Sequence, residues 1–243
     1  MVYRFKFKVV SVGDVITLDE FKNEQEFFSS KILLMNTFRV SDIKLVAGVD
    51  VSYWSDIKGK EYGVCCIVVI DYATKKIIEK VDYTDEVKIS YIPGYLAFRE
   101  LPLILNAVKK MSSKPDLYMF DGNGYLHYRK MGIATHASFY LNKPTIGVAK
   151  NYLKIAGVSF SEPQNISGSY TLIRSQKDVY GAAVRTRANA KPIYVSCGNW
   201  IDLDTAIDIT LYFVDKQKSR LPITIRYADL ETHIKKREYS YHS

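Results

Sequence analysis

The chain is poor in the residues that staple or anchor a protein. It has three cysteines, an odd number, and Cys65 and Cys66 are neighbours in a strand-like run, so the pleat aims them at opposite faces. No CxxC spacing exists to hold zinc, and the set is not a disulfide framework. Long apolar runs are missing as well. The longest, Val64 to Ile70, falls far short of the roughly 18 residues a membrane span needs. The first residues alternate charged and apolar side chains, with no h-region and no small-residue cleavage site. A reduced, cytoplasmic protein without membrane attachment is the expectation. No repeat, low-complexity tract or Pro/Gly/Ser-rich linker divides the sequence, so residues 1–243 are expected to form one domain. Motifs for other chemistries are absent too. There is no GxGxxG and no GxxxxGK[ST] for a nucleotide, no GxSxG for a serine hydrolase and no HExxH for a zinc protease.

What is abundant is positive charge and tyrosine. Lysine and arginine number 34 against 26 aspartates and glutamates, a net charge of +8, and there are 19 tyrosines. A basic surface suits a polyanion, because neutralising phosphates releases counterions, and aromatic faces stack on bases. Ordinary cytosolic proteins are often basic, and tyrosines fill cores equally well.

Periodicity predicts an α/β fold. A strand-like start spans Tyr3 to Val10, and a helix capped by Thr17 or Asp19 is expected to run to about Asn36. Strands follow at Leu45–Tyr53, Tyr62–Ile70 and Ile77–Tyr83, the last two joined as a hairpin. A helix from about Tyr95 to Met111 contains Pro102, which predicts a kink or an early end. The middle reads as strand–helix–strand, Asp116–Phe120, Gly132–Leu141 and Thr145–Ala149, the spacing of a parallel pair. Three further strands (Ser169–Ile173, Val179–Arg185, Pro192–Ser196) and a helix at Asp202–Val214 complete a mixed sheet flanked by helices.

Three carboxylates stand in unusual company. Asp50 interrupts the apolar strand Val46-Ala-Gly-Val-Asp-Val-Ser-Tyr, where aspartate is depleted. Asp121 closes Leu117-Tyr-Met-Phe at a strand's C-terminal end, where α/β sheets collect ligands. Glu100 lies on the mostly apolar helix Leu96-Ala-Phe-Arg-Glu-Leu. Each has an ordinary reading: a rare strand aspartate, a turn former before Gly122, and a surface acid paired with Arg99. Carboxylates without soft ligands favour hard divalent cations, and Mg²⁺ bridging a phosphate on a basic protein suits phosphodiester hydrolysis. Lys150, at the end of Thr145–Ala149, would add charge beside Asp121 or simply be a solvated strand-end lysine.

Taken together, six segments in register resemble the endonuclease V family, inosine-directed nucleases with a ribonuclease H-like fold. They are Val46–Tyr53, Tyr91-Ile-Pro-Gly-Tyr-Leu-Ala-Phe-Arg-Glu-Leu-Pro, Pro115–His127, Gly132-Ile-Ala-Thr-His, Pro144-Thr-Ile-Gly-Val-Ala-Lys and Lys191-Pro-Ile-Tyr-Val-Ser-Cys-Gly. The match covers about residues 20–215. The resemblance implies Asp50 and Asp121 as Mg²⁺ ligands (Mn²⁺ substituting), Glu100 as third acid and Lys150 near the scissile phosphate. It implies a DNA wedge at Tyr91, Ile92, Pro93 and Gly94. A pocket for the extruded hypoxanthine is implied at Gly94, Leu96, Gly122, Gly124, Ile133 and Ala149. His127 and Arg129 are implied to orient the site or touch phosphate. The implied reaction is cleavage of the second phosphodiester bond 3′ to deoxyinosine by a monomer.

Two residues depart from the family pattern. Ser90 stands where proline commonly precedes the wedge, and Asn199 where a Gly-His pair is usual. Asn199 is expected to position a water beside the metal. Inosine-containing RNA is an alternative substrate, and Asn199 leaves open a binding protein with impaired catalysis. In the C-terminal stretch 216–243, Asp229, Glu231 and His233 offer a second metal site or, more simply, a capped polar helix.

Overall fold

The computed structural model describes residues 18–241, so the expected strand Tyr3–Val10 and the Thr17 cap lie outside the described residues. Among the described residues, eight strands form one sheet in the order β3-β2-β1-β4-β5-β8-β7-β6. They are β1 Leu45–Ser55, β2 Glu61–Asp71, β3 Ile77–Glu86, β4 Leu117–Asp121, β5 Thr145–Ala149, β6 Tyr170–Arg174, β7 Val179–Val184 and β8 Ile193–Asn199. Helices α1 Leu18–Ser29, α2 Leu96–Lys109, α3 Ile133–Leu141, α4 Leu203–Tyr212 and α5 Ile223–Ser240 flank it. The sheet is mixed: β1, β4 and β5 are mutually parallel, and the remaining pairings are antiparallel. Among the described residues no helix is long and apolar enough to cross a membrane.

Strand alternation divides the core between the two faces. Val46, Val68, Leu117, Met119, Ile146 and Val148 face α4 and α5. Ala47, Val49, Cys65, Ile67, Tyr118 and Phe120 face α2 and α3. Cys65 therefore packs under α2, whereas Cys66 borders a cavity under α5 with Lys80, Asp82, Glu231 and Lys235.

Two helices differ from expectation. The first ends at Ser29, seven residues early, because the Ser29 and Ser30 hydroxyls bond the carbonyls of Glu26 and Phe27, and the chain then crosses to β8. Phe21, Gln25 and Phe28 form its buried face, while Met35 is exposed. Pro102 neither ends nor divides α2. It points to solvent, and Ala97, Phe98, Leu101 and Ile104 bury the opposite face, offsetting a mid-helix proline's cost of about 3 kcal/mol.

The closest approach between layers sets the position of α5. A Cβ on Gly48 of β1 would lie 2.1 Å from the backbone oxygen of Thr224. Only glycine lets the first turn of α5 descend onto the strand. A Gly48→Ala substitution is expected to cost about 2–4 kcal/mol by overpacking against backbone that cannot yield. Thermal unfolding checks this; an unchanged melting temperature would contradict it.

Candidate active site

Continuing the alternation past the core residues turns Asp50, Asp121 and Lys150 to the α5 face. Met119 and Val148 already point there; Asp121 is the next residue of that parity at the end of β4, Lys150 the next just past β5, and Asp50 has the same parity midway along β1. The register sets Asp50, midway along the longer β1, beside the ends of β4 and β5, so three sequence-distant residues converge where the shorter parallel strands stop. From above, α5 brings Asp229 and Thr232, which helical spacing places on one face. One oxygen from each of Asp50, Asp121 and Asp229 lies within 4.8 Å of the others.

Lys150 is the cation inside this cluster. Its Nζ sits 2.6 Å from Asp121 Oδ2 and 2.5 Å from Asp229 Oδ1. Asp121 and Asp229 outweigh burial and hold the ammonium above its usual pKa. Arg220 donates to the Lys150 carbonyl at 3.1 Å, tying the lysine's backbone to the turn before α5. Asp50 is left with a hydroxyl: Thr232 Oγ1 donates to its Oδ2 at 2.9 Å. Burial, then the Asp121 charge, pushes Asp50 from 3.8 up to about 7. Burial also raises Asp121, with Lys150 pulling back.

Glu100 stands aside from the three aspartates. It is buried in the first turns of α2 and accepts a hydrogen bond from Tyr53 Oη at 3.1 Å. Burial carries it to about 8, against the Tyr53 bond and with the Asp50 and Asp121 charges adding to the rise. The surface pairing with Arg99 does not occur: Arg99 bonds Glu61 and the Ile89 carbonyl instead.

The donor set fits a hard divalent cation. Three converging carboxylates have one lysine among them, which bridges Asp121 and Asp229, so as carboxylates they would leave an uncompensated double negative charge at a half-buried edge, and among the described residues no thiolate or imidazole joins the group.

Tyr91, Ile92, Pro93 and Gly94 form a turn before α2, closed by Tyr95 N donating to the Ile92 carbonyl at 2.9 Å. Tyr91 is 63% exposed. Gly94 has φ +82°, a left-handed conformation that favours glycine. Gly122, Ile133 and Ala149 lie around the C-terminal ends of β4 and β5, with Leu96 half-buried at the start of α2. Gly124 is buried beneath them; its N–H meets Ser196 Oγ at 2.9 Å, and a Cβ there would lie 2.2 Å from the Cys197 oxygen.

His127 is buried, and burial, then the Arg129 charge, lowers it to about 4, so the ring is neutral. Its Nδ1 accepts from the backbone N–H of Arg129 at 3.3 Å. Arg129 itself is committed to protein acceptors, the Gly94 carbonyl at 2.7 Å and Gln25 Oε1 at 2.5 Å. These contacts tie its guanidinium to the turn.

Asn199 is not brought to the site. It pairs with Thr145, at the start of β5, whereas Lys150 follows that strand's far end. Its Oδ1 accepts from Leu33 N at 2.8 Å and Trp200 N at 3.1 Å, fastening the segment after α1 to β8. Asp229, which the sequence offered only for a separate second metal site or a polar helix, stands instead in one cluster with Asp50 and Asp121. The one available signal was its neighbourhood: Thr224, Ile225, Ala228 and Thr232 make a buried stripe that Asp229 adjoins. The other two residues singled out there go elsewhere, Glu231 to Lys80 and His233 to a 59%-exposed position 4.0 Å from Asp229. The expected side-chain cap of α5 is absent, Pro222 occupying that position.

Comparison with known proteins agrees with this geometry. The profile described as Endonuclease V matches residues 26–230. The chain belongs to the endonuclease V family. An Endonuclease V of Bacillus thuringiensis subsp. konkukian is 59% identical over 216 residues, 89% of this chain and 91% of its own length. The crystal structure of the Bacillus subtilis Endonuclease V superposes with a TM-score of 0.90 at 50% identity, covering 95% of this chain and 96% of its own. A Ciona intestinalis Endonuclease V, in complex with a 24mer DNA containing an inosine followed by a ribo-adenosine, gives 0.79 at 29% identity, covering 91% and 98%. As a member of this family the chain is a nuclease, and the aspartate cluster is its candidate metal centre.

The buried acids make stability depend on pH in a definite sense. A folded-state pKa above the unfolded value means that the folded protein holds the extra proton, so stability falls as pH rises between the two. The window runs from 3.8 to about 7 for Asp50 and from 4.5 to about 8 for Glu100. His127, lowered from 6.5 to about 4, works in the opposite sense below 6.5. Between pH 6.5 and 8 the acids act alone. Urea unfolding of EDTA-treated protein is expected to show a loss of about 1–2 kcal/mol across that interval, reduced in Glu100→Gln. Stability that is flat or rising there would contradict it.

Proposed function

We propose that the protein is a Mg²⁺-dependent DNA repair endonuclease that recognises deoxyinosine and hydrolyses the second phosphodiester bond 3′ to it. The observation that carries this reading is the convergence of Asp50, Asp121 and Asp229 around Lys150, on the same molecule as an exposed tyrosine turn. The inosine-containing DNA bound by the Ciona relative supports the lesion.

Asp50, Asp121 and Asp229 would hold the cation, Mn²⁺ substituting for Mg²⁺. When bound, such an ion polarises the phosphoryl group and stabilises the departing oxygen. Lys150 sets a second positive charge beside the phosphate, where charge builds up as the bond breaks. Glu100, poised near neutrality and fixed by Tyr53, is suited to take a proton from the attacking water. Water adds to phosphorus and the P–O3′ bond breaks, leaving a 5′-phosphate and a 3′-hydroxyl. Tyr91, Ile92 and Pro93 enter the stack at the lesion, replacing lost base stacking with apolar contact. Gly94, Leu96, Gly122, Ile133 and Ala149 line the space for the extruded base. Flipping is cheapest at a weakened pair, which favours hypoxanthine over adenine.

A second reading is cleavage of inosine-containing RNA. The ribo-adenosine beside inosine in the Ciona complex is what favours it. The impaired-binder reading rested on Asn199, and with that residue anchoring Leu33 it loses its support.

An end-labelled duplex with one deoxyinosine tests the proposal. Wild type in Mg²⁺ is expected to nick one nucleotide beyond the lesion. Asp50→Ala, Asp121→Ala and Asp229→Ala should each lose at least about a hundredfold, as expected for removal of a main stabiliser of transition-state charge. Asn199→Ala should nick normally once its lower stability is allowed for. A fully active Asp229→Ala would overturn the site, and a matched RNA strand cut faster than DNA would establish the second reading.

A further inference from the structure

The exposed turn at 91–94 is held from beneath by a residue of α1 to which the proposed reaction assigns nothing. Gln25 is fully buried, at 0% exposure, and is the one polar residue of the buried face of α1, between Phe21 and Phe28. Its Nε2 donates to the Gly94 carbonyl at 3.1 Å, and its Oε1 accepts from Arg129 Nε at 2.5 Å. Arg129 closes the triangle, donating from its second nitrogen to the same carbonyl at 2.7 Å. The guanidinium also lies over the Tyr95 ring, 4.2 Å from its centroid, and the buried His127 ring faces the Gly94 backbone.

Every polar atom of the Gln25 side chain is thus spent on the hinge residue of the turn or on its clamp. A buried amide that served only to fill space would be an apolar residue at lower cost. Gly94 has φ +82°, so the turn's exit angle depends on this carbonyl being pinned. The helix that carries Gln25 is itself fixed. Phe21 stacks on Phe98 of α2 at 3.9 Å, and Glu24 accepts from both His136 Nε2 at 2.8 Å and Tyr140 Oη at 2.6 Å. Gln25 therefore stands on a rigid base.

We propose that Gln25 is a positioning residue for the DNA wedge: by gripping the Gly94 carbonyl and aligning Arg129, it holds Tyr91 at the angle needed to part a duplex. The proposal rests on the wedge reading of Tyr91–Gly94. It makes Gln25 important for inosine in a duplex and dispensable for inosine in a single strand, where no stack has to be opened.

The test is kcat/KM on a duplex and on a single strand, each carrying one deoxyinosine, for wild type, Gln25→Leu, Gln25→Glu and Tyr91→Ala. Gln25→Leu removes both polar contacts. Gln25→Glu keeps an acceptor for Arg129 but cannot donate to Gly94. The expected result is a duplex-to-single-strand ratio lowered about tenfold in Gln25→Leu, the size of one well-made hydrogen bond, with a smaller fall in Gln25→Glu and single-strand rates unchanged. Tyr91→Ala should lower the same ratio. If Tyr91→Ala shifts the ratio and the Gln25 variants do not, or lower both rates equally, Gln25 is a packing residue and the proposal fails. If Tyr91→Ala leaves the ratio unchanged, the wedge reading fails and takes the proposal with it. Should Gln25→Leu not fold, the Gln25→Glu ratio decides alone.

Discussion

Three carboxylates and one ammonium crowd together where β4 and β5 stop beside β1, and the architecture around them follows from that crowding. Asp121 and Asp229 are bridged by Lys150, while Asp50 has only the Thr232 hydroxyl. Burial holds the protons of Asp50 and Glu100 into the neutral range. A folded chain carries such a group at a cost, because an uncompensated buried charge is destabilising. The natural relief is a divalent cation. The same unfavourable electrostatics are what would draw the ion and, behind it, a phosphate.

Backbone proximity brings the fourth side of the site into place. Gly48 lets α5 settle onto β1, and four further residues of helix carry Asp229 to the aspartates. The Lys150 backbone is in turn fixed by Arg220, just before that helix. The candidate site residues, on β1, β4 and α5 and just after β5, are thus held by elements that are themselves core, as suits groups that must stay within fractions of an ångström of one geometry. The turn at 91–94, the proposed wedge, is different. It is exposed at its tip and rigid at its base, where Gln25, Arg129 and His127 surround Gly94.

Much of this was legible in the chain. An aspartate amid Val46–Tyr53 and another closing Leu117–Phe120 break strong apolar patterns, and a break in a pattern is visible locally. Strand parity alone then turns both to one face. Asp229 was visible only as one polar residue among Glu231 and His233 on a polar helix, where an aspartate breaks nothing; that it joins Asp50 and Asp121 comes from the packing of α5, a non-local fact. Asn199 misled for the complementary reason. Its place beside Gly198, in a motif, suggested chemistry, but the antiparallel register of β8 carries it to the far end of the sheet. The early end of α1 and the survival of α2 through Pro102 are likewise tertiary outcomes: a segment recruited by β8, and a helix whose buried face outweighs one lost bond.

The central claim is that Asp50, Asp121 and Asp229 form one divalent-cation site. Its most direct test is titration of the DNA-free protein with Mn²⁺, followed by electron paramagnetic resonance of the free ion. Saturable binding to wild type is predicted, weakened at least about tenfold in Asp229→Asn, as for loss of one charged ligand. Equal binding by Asp229→Asn and wild type would contradict the account and return α5 to a purely structural role.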